Sequence, residues 1–152
     1  MYYVKFSLLF ILFHSISYTI AGIIALKFSK DIYETKGRLC TFLRDTSNKE
    51  ESKHVEKYFL LAQIPRGFLM SVVLFPLLNA IGGLSFGLKF VFFSSLTFIY
   101  THIASSSPFM DNIEGLVYFK KEYLREKFFF KFQTEMLIYS TIFGFLMSLA
   151  VG

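Results

Sequence analysis

Tryptophan is absent from the 152 residues, proline occurs three times, and cysteine occurs once, as Cys40. One cysteine excludes an internal disulfide framework. With no CxxC pair and no Cys/His cluster, zinc-thiolate and dithiol redox chemistry are excluded as well. Charge is scarce too, at 18% of residues against 54% hydrophobic, where soluble domains carry roughly 25% charged residues. It is missing altogether from 6–26, 67–88, 90–110 and 136–152. A soluble domain of this size has too little interior to hide so much apolar surface. A soluble enzyme, a secreted disulfide scaffold and a disordered chain are therefore excluded. HExxH, GxSxG, GxGxxG, P-loop and EF-hand patterns are also lacking, so no catalytic, cofactor-binding or metal-ligating residue and no cofactor is assigned.

What remains are four uncharged stretches near the length of about 20 residues that crosses a bilayer core. They predict a single membrane domain over 1–152. Its fold class is an all-α, membrane-embedded bundle of four transmembrane helices, at about 6–26, 67–87, 90–107 and 134–151. The first has some features of a signal peptide, with Lys5 before it and Thr19-Ile20-Ala21 as a small-residue site. It is long for such a segment, however, and Lys27 and Lys30 follow it like a stop-transfer flank, so it is read as an uncleaved span. Of the 16 Lys and Arg, nine lie in 27–66, five in 111–135, and only Lys5 and Lys89 elsewhere. The positive-inside rule then makes 27–66 and 108–133 cytoplasmic and both termini exterior in a plasma membrane.

Local signals refine this picture. Ser47-Asn48-Lys49-Glu50 has capping-box spacing and predicts a helix start near Asn48. Pro65 predicts a bend at the entry to span two, and Pro76 a kink within it. The short link through Gly82, Gly83 and Gly87 predicts that spans two and three form an antiparallel hairpin. Between spans three and four, Asp111 reads as a helix N-cap with Glu114 at the capping-box position. Ile113, Leu116, Val117, Leu124 and Phe128 fall on one face at 100° per residue, while Glu114, Lys121, Glu122, Arg125 and Glu126 take the others. That pattern predicts an amphipathic interfacial helix.

The 21 Phe and nine Tyr read as lipid-facing bulk. Ser140, Gly144, Ser148 and Gly152 repeat every four residues, a spacing that lets helix backbones approach closely. The stretches Ser17/Ala21/Ala25 and Thr97/Thr101/Ser105 show the same spacing, and Phe143 is placed toward lipid. His14, Asn79 and His102 are polar groups within spans. Hydrogen-bonded links between helices are the first reading, with His14 and Asn79 close enough in depth to bond each other; a proton relay or ligand site is the second. Arg66, Glu114 and Glu135 fall near the cytoplasmic ends of spans. Glu135 is placed at a helix N-terminus, where an anion is favoured, within reach of Arg66.

IPRGFLMSVVLFP (64–76), NIEGLVYFKKEY (112–123) and QTEMLIYS (133–140) are similar to segments of a loose group of small, uncharacterised prokaryotic multi-pass membrane proteins. The resemblance rests on Arg66-Gly67, Pro76, Ile113-Glu114-Gly115 and Glu135. It implies a four-span protein and carries no assigned activity. The expected role is a non-enzymatic packing, assembly or accessory subunit in the lipid bilayer, acting as a homo-oligomer or with other membrane subunits and without nucleic acid. An oligomeric transporter of small solutes or ions, using His14, Asn79 and His102, is one alternative. A membrane enzyme acting on lipid through Glu114 and Glu135 is the other.

Overall fold

The computed structural model describes residues 2–34, 40, 43–124 and 126–151. Gly152 of the small-residue row and Arg125 of the amphipathic pattern lie outside them. The described residues form helices and contain no strand. The helices are α1 (Tyr2–Phe28), α2 (Lys30–Tyr33), α3 (Lys49–Val73), α4 (Leu78–Gly82), α5 (Phe86–Ser95), α6 (Ile113–Tyr118) and α7 (Glu126–Ala150). Two helical stretches are long and apolar enough to cross a membrane: α1, and α5 with the π-helical Leu96–Ile103 that continues it. The bent pair of α3 with Phe75–Gly82 adds a third if it crosses as one span. α7 is outside that set, since Glu126, Lys127, Lys131 and Glu135 occupy its first ten residues.

α3 starts where Asn48 takes an extended backbone and its side chain accepts from the amides of Glu50 and Glu51. Asn48, not Ser47, is thus the cap. Helix α3 runs straight through Pro65, and the bend falls at Pro76 instead. There Leu74 ends α3, a 3-10 turn spans Phe75–Leu77, and the axis turns by 45°. Pro76 has no N–H for the carbonyl four residues back, so the ladder breaks there.

α1 and α7 are the central pair, antiparallel and in register through His14–Tyr139 and Phe10–Phe143. α3 lies against α1, and α5 against α7. The expected hairpin of spans two and three is not a packed pair, because α3 and α5 choose different neighbours on either side of the Gly82–Ser85 turn. Two close approaches set the spacing. A Cβ on Gly67 would stand 3.1 Å from the Ile11 Cα. One on Gly144 would overlap the Ser94 side chain and lie 3.1 Å from the Phe90 carbonyl oxygen. The main core joins Phe6, Phe10, Leu78, Phe93, Tyr139, Phe143 and Met147.

The interfacial helix is not continuous. α6 ends at Tyr118, Phe119 is extended, Lys121–Tyr123 form a 3-10 turn, and Phe128 already belongs to α7. The physical reason is a second apolar cluster of Ile32, Cys40, Met110 and Phe128, against which Phe119 also packs. Nine residues of one α-helix turn through 900°, so Phe119 and Phe128 would face opposite ways; the break lets both reach this cluster. Ile113, Leu116 and Val117 stay exposed while Phe128 is buried, so the five residues share no face. The cap of α6 is Asn112, whose Oδ1 accepts from the Gly115 amide at 2.8 Å; Asp111 plays no such part.

Candidate functional site

The outer faces of the helices are apolar and several inner faces polar. Leu8, Leu12, Ile16 and Ile20 of α1 are exposed, whereas Ser7, His14 and Ser17 on the same helix are buried. Buried polar groups must find partners or cost stability. Ser7 accepts from the Ser71 hydroxyl at 2.8 Å. His14 is fully buried between α1, α3 and α7: its Nδ1 is 2.6 Å from the Tyr139 hydroxyl and its Nε2 3.1 Å from Gln63 Oε1. The Gln63 amide donates to the Phe59 carbonyl, which turns Oε1 toward the ring. His14 Nε2–H therefore donates to Gln63, and Nδ1 accepts from Tyr139. This set is complete and closed.

One turn further along, the four elements part around a cavity of about 490 Å³. α1 contributes Tyr18, α3 Arg66, the π-helical turn Thr101 and His102, and α7 Phe132, Glu135 and Met136; Tyr33 and the 105–112 loop complete the wall. Pocket volumes of roughly 300–1,000 Å³ suit small molecules. The Arg66 guanidinium lies 5.3 Å from the centre of the Tyr18 ring, a cation–π contact that holds it in place. Glu135 Oε2 receives the Tyr33 hydroxyl at 3.5 Å. Burial and the carboxylate beside it push the Tyr33 hydroxyl well above the ordinary tyrosine range, so Tyr33 remains a donor.

The third side is a polar chain. Gln133 Nε2 donates to the Asp111 carbonyl at 2.6 Å, and Gln133 Oε1 faces His102 Nε2 at 3.2 Å. His102 Nδ1 then stands 3.8 Å from Asp111 Oδ2, too far for a hydrogen bond. Burial raises the Asp111 carboxyl above its ordinary range, with His102 pulling the other way. Asn112 organises the loop: it donates to the Ser107 carbonyl at 2.7 Å and accepts from the Phe109 amide at 3.0 Å.

Arg66, Glu135 and His102 line this one cavity; His14, Asn79 and Glu114 do not. No ion pair joins Arg66 to Glu135 among the described residues. Glu135 is also not at a helix N-terminus, because α7 begins nine residues earlier at Glu126; the helix-end argument for an anion there fails. Asn79 is exposed on α4 and is not His14's partner. Ser7 pairs with Ser71, and Gly67 lies beside His14. Asn79 is twelve residues past Gly67, which is about 18 Å along a helix. Phe143 is fully buried, not turned outward. Ser140, Gly144 and Ser148 are all buried, with Gly144 facing α5. Among the described residues no three His, Cys, Asp or Glu are grouped to hold a metal.

Several members of the site escape a reading of the sequence. Tyr18, Tyr33 and Tyr139 are lost among thirty phenylalanines and tyrosines. Gln63 and Gln133 are the signal that was there to find: uncharged amides one turn outside apolar stretches. The π-helical turn, a form often found at functional sites, has no sequence marker. No protein-family model matches the chain, and no curated protein or solved structure matches it either.

Proposed function

We propose that the protein is a four-span integral membrane protein that works by binding a small polar or amphipathic ligand in the cavity of Arg66, His102, Asp111 and Glu135. The fourth span is the uncharged second half of α7, which shares its register with α1. Both termini are exterior, and the cavity opens toward the basic, cytoplasmic end. The observation that carries the reading is the meeting of Arg66 and Glu135 in one half-open cavity without an ion pair between them. A guanidinium and a carboxylate that share a cavity without pairing are each open to a ligand's counter-charge.

This reading is favoured over the three offered by the sequence. The small-residue rows that suggested an assembly subunit are spent within the chain, as Gly144 against Ser94 and Ala21 in the core. A relay through His14, Asn79 and His102 has no support, because His14 is sealed by Tyr139 and Gln63 and Asn79 faces outward. The His102 ring is hydrogen-bonded to the Gln133 amide and faces the Asp111 carboxyl at 3.8 Å, rather than a hydroxyl or thiol nucleophile, which favours binding over covalent catalysis.

The test is native mass spectrometry of the protein purified in mild detergent. A non-covalent adduct should accompany wild type and Asn79→Ala and be lost from Arg66→Gln at equal thermal stability. An adduct-free wild type, or one whose adduct survives Arg66→Gln and Glu135→Gln together, would remove the reading.

A further inference from the structure

The charged groups around the cavity are not all matched. His102 and Asp111 face each other at 3.8 Å and answer one another. Arg66 touches the Tyr18 ring rather than an acceptor, at 5.3 Å, and makes no ion pair among the described residues. Its planar fork therefore remains for a carboxylate, which it takes by two parallel hydrogen bonds. Glu135 receives one long hydrogen bond from Tyr33, at 3.5 Å, and keeps acceptor capacity to spare. One cation and one anion are thus left over in a cavity of about 490 Å³.

The shape of the site decides what can carry the matching charges. On α1 and α7 the next turn inward is taken by the bonded pair His14 and Tyr139. An apolar groove meets the cavity at Tyr18, Tyr33 and Glu135, but it runs the other way, to Leu26 on α1 and to Val55 and Glu56 on α3. A lipid with its head at Arg66 and its chain in that groove would point its chain toward the charged end, out of the bilayer. At that same end the cavity rim is polar, with Ser105, Ser107 and Asn112 in the wall and Ser107 exposed. The ligand that fits enters from water. Much of the remaining wall is aromatic: Tyr18, Tyr33, and Phe109 packed edge-on against Phe132 at 6.1 Å.

We propose that the ligand of the cavity is a free α-amino acid with an aromatic side chain, taken from the cytoplasmic side; this rests on the binding reading above. Its carboxylate meets Arg66, its ammonium meets Glu135, and its ring lies against Phe109 and Phe132, where aromatic pairs gain beyond the area they bury. A carboxylic acid or an amine alone leaves one of the two charged groups unmatched, and a ligand that fails to pair a polar group of its site is rejected strongly. Three different contacts to the substituents of one carbon also make the site handed. The mirror-image molecule makes only two of them at once.

The test uses full-length protein in mild detergent with L-phenylalanine as probe, and follows saturable binding by calorimetry and thermal shift. Each comparison probe removes one feature: phenethylamine lacks the carboxylate, phenylpropionate the ammonium, L-alanine the ring, and D-phenylalanine the handedness. Wild type should bind one equivalent of L-phenylalanine, at least tenfold more tightly than any comparison probe. This ranking is read on wild type and so does not depend on how a variant folds. Arg66→Gln should weaken L-phenylalanine tenfold or more and erase the preference over phenethylamine. Glu135→Gln should erase the preference over phenylpropionate, and an unchanged melting temperature without probe certifies each fold. If L-phenylalanine does not bind wild type saturably, the amino-acid assignment falls, and the adduct experiment above decides the cavity separately. Binding that is equal for the two mirror images, or indifferent to both Arg66→Gln and Glu135→Gln, overturns the assignment as well. So does an adduct in that experiment with the mass of a phospholipid, which would leave the binding cavity standing.

Discussion

A buried hydrogen bond contributes little net stability when it is made, but a partner left behind costs more. The His14 set is the place to see this. Tyr139 and His14 are each fully buried, and their bond is short at 2.6 Å. Tyr139→Phe keeps the ring and its stacking on Phe143 but leaves Nδ1 without a donor. The expected loss is about 1–3 kcal/mol, read as a lower midpoint of unfolding in detergent. Asn79→Ala, on an exposed face, should stay within about 0.5 kcal/mol of wild type; the opposite ranking would show that His14 is not the structural link. Asp111 supplies a pH-dependent counterpart. Burial raises its carboxyl above the ordinary 3.8, so the folded state holds that proton more tightly than the unfolded chain. The resulting stability is complete below pH 3.8 and is lost as pH climbs through the raised folded-state value. Thermal midpoints measured upward from pH 4 should therefore fall, and Asp111→Asn should flatten that slope. A slope unchanged in Asp111→Asn would assign it to other groups.

Between elements, glycine placement decides which helices touch. Gly144 meets Ser94 and the Phe90 carbonyl of α5, and Ser148 turns its hydroxyl back to the Gly144 carbonyl at 2.6 Å. Gly144→Ile must push α5 from α7, and overpacking of this kind costs about 1–3 kcal/mol. Phe145, half-exposed one position round the helix, is the control: Phe145→Leu should be nearly neutral in the same unfolding experiment. Equal losses from both would place the α5–α7 contact elsewhere. The row Ser140, Gly144, Ser148 could be read from spacing alone, because a four-residue repeat of small side chains is itself the shape of a contact face. The burial of its neighbour Phe143 could not. In this chain phenylalanine fills both the core and the outer surface, so hydrophobicity carries no direction. Pro76 announced its break through its missing donor, whereas Pro65 announced one that does not occur, since α3 continues past it. The interfacial helix misled for a related reason: its period was correct over six residues, but the packing of Phe119 and Phe128 into one cluster outranked its continuation.

At the scale of the whole molecule, the arrangement is polar within and apolar without, with Ser7, Ser71, His14 and Thr97 inside and Leu8, Leu69, Val91 and Leu149 outside. The helical class was legible because long uncharged stretches admit few other structures in lipid. The number of crossings was less so, because α7 places four charges and a short uncharged stretch on one continuous helix. The cavity was legible only as its separate parts. Arg66, His102 and Glu135 stand out as polar groups at apolar edges, but their meeting depends on α1–α7 register, which no local pattern encodes. The proposed topology ties these facts together, since Lys131 of α7 pairs with Asp31 just past α1 and both fall at the end holding most of the positive charge. A reporter active only in the cytoplasm should therefore be active when fused after Ser47 and silent when fused after Val151. The paired reporter, active only outside, should give the inverse. A three-span chain would put those two fusion points on the same side if the uncharged half of α7 failed to cross, and both fusions would then be active in the cytoplasm. Moving that result back to the four-span pattern by Glu135→Leu, which lengthens the uncharged run of α7, would identify the charge of the cavity itself as what holds the last helix short of crossing.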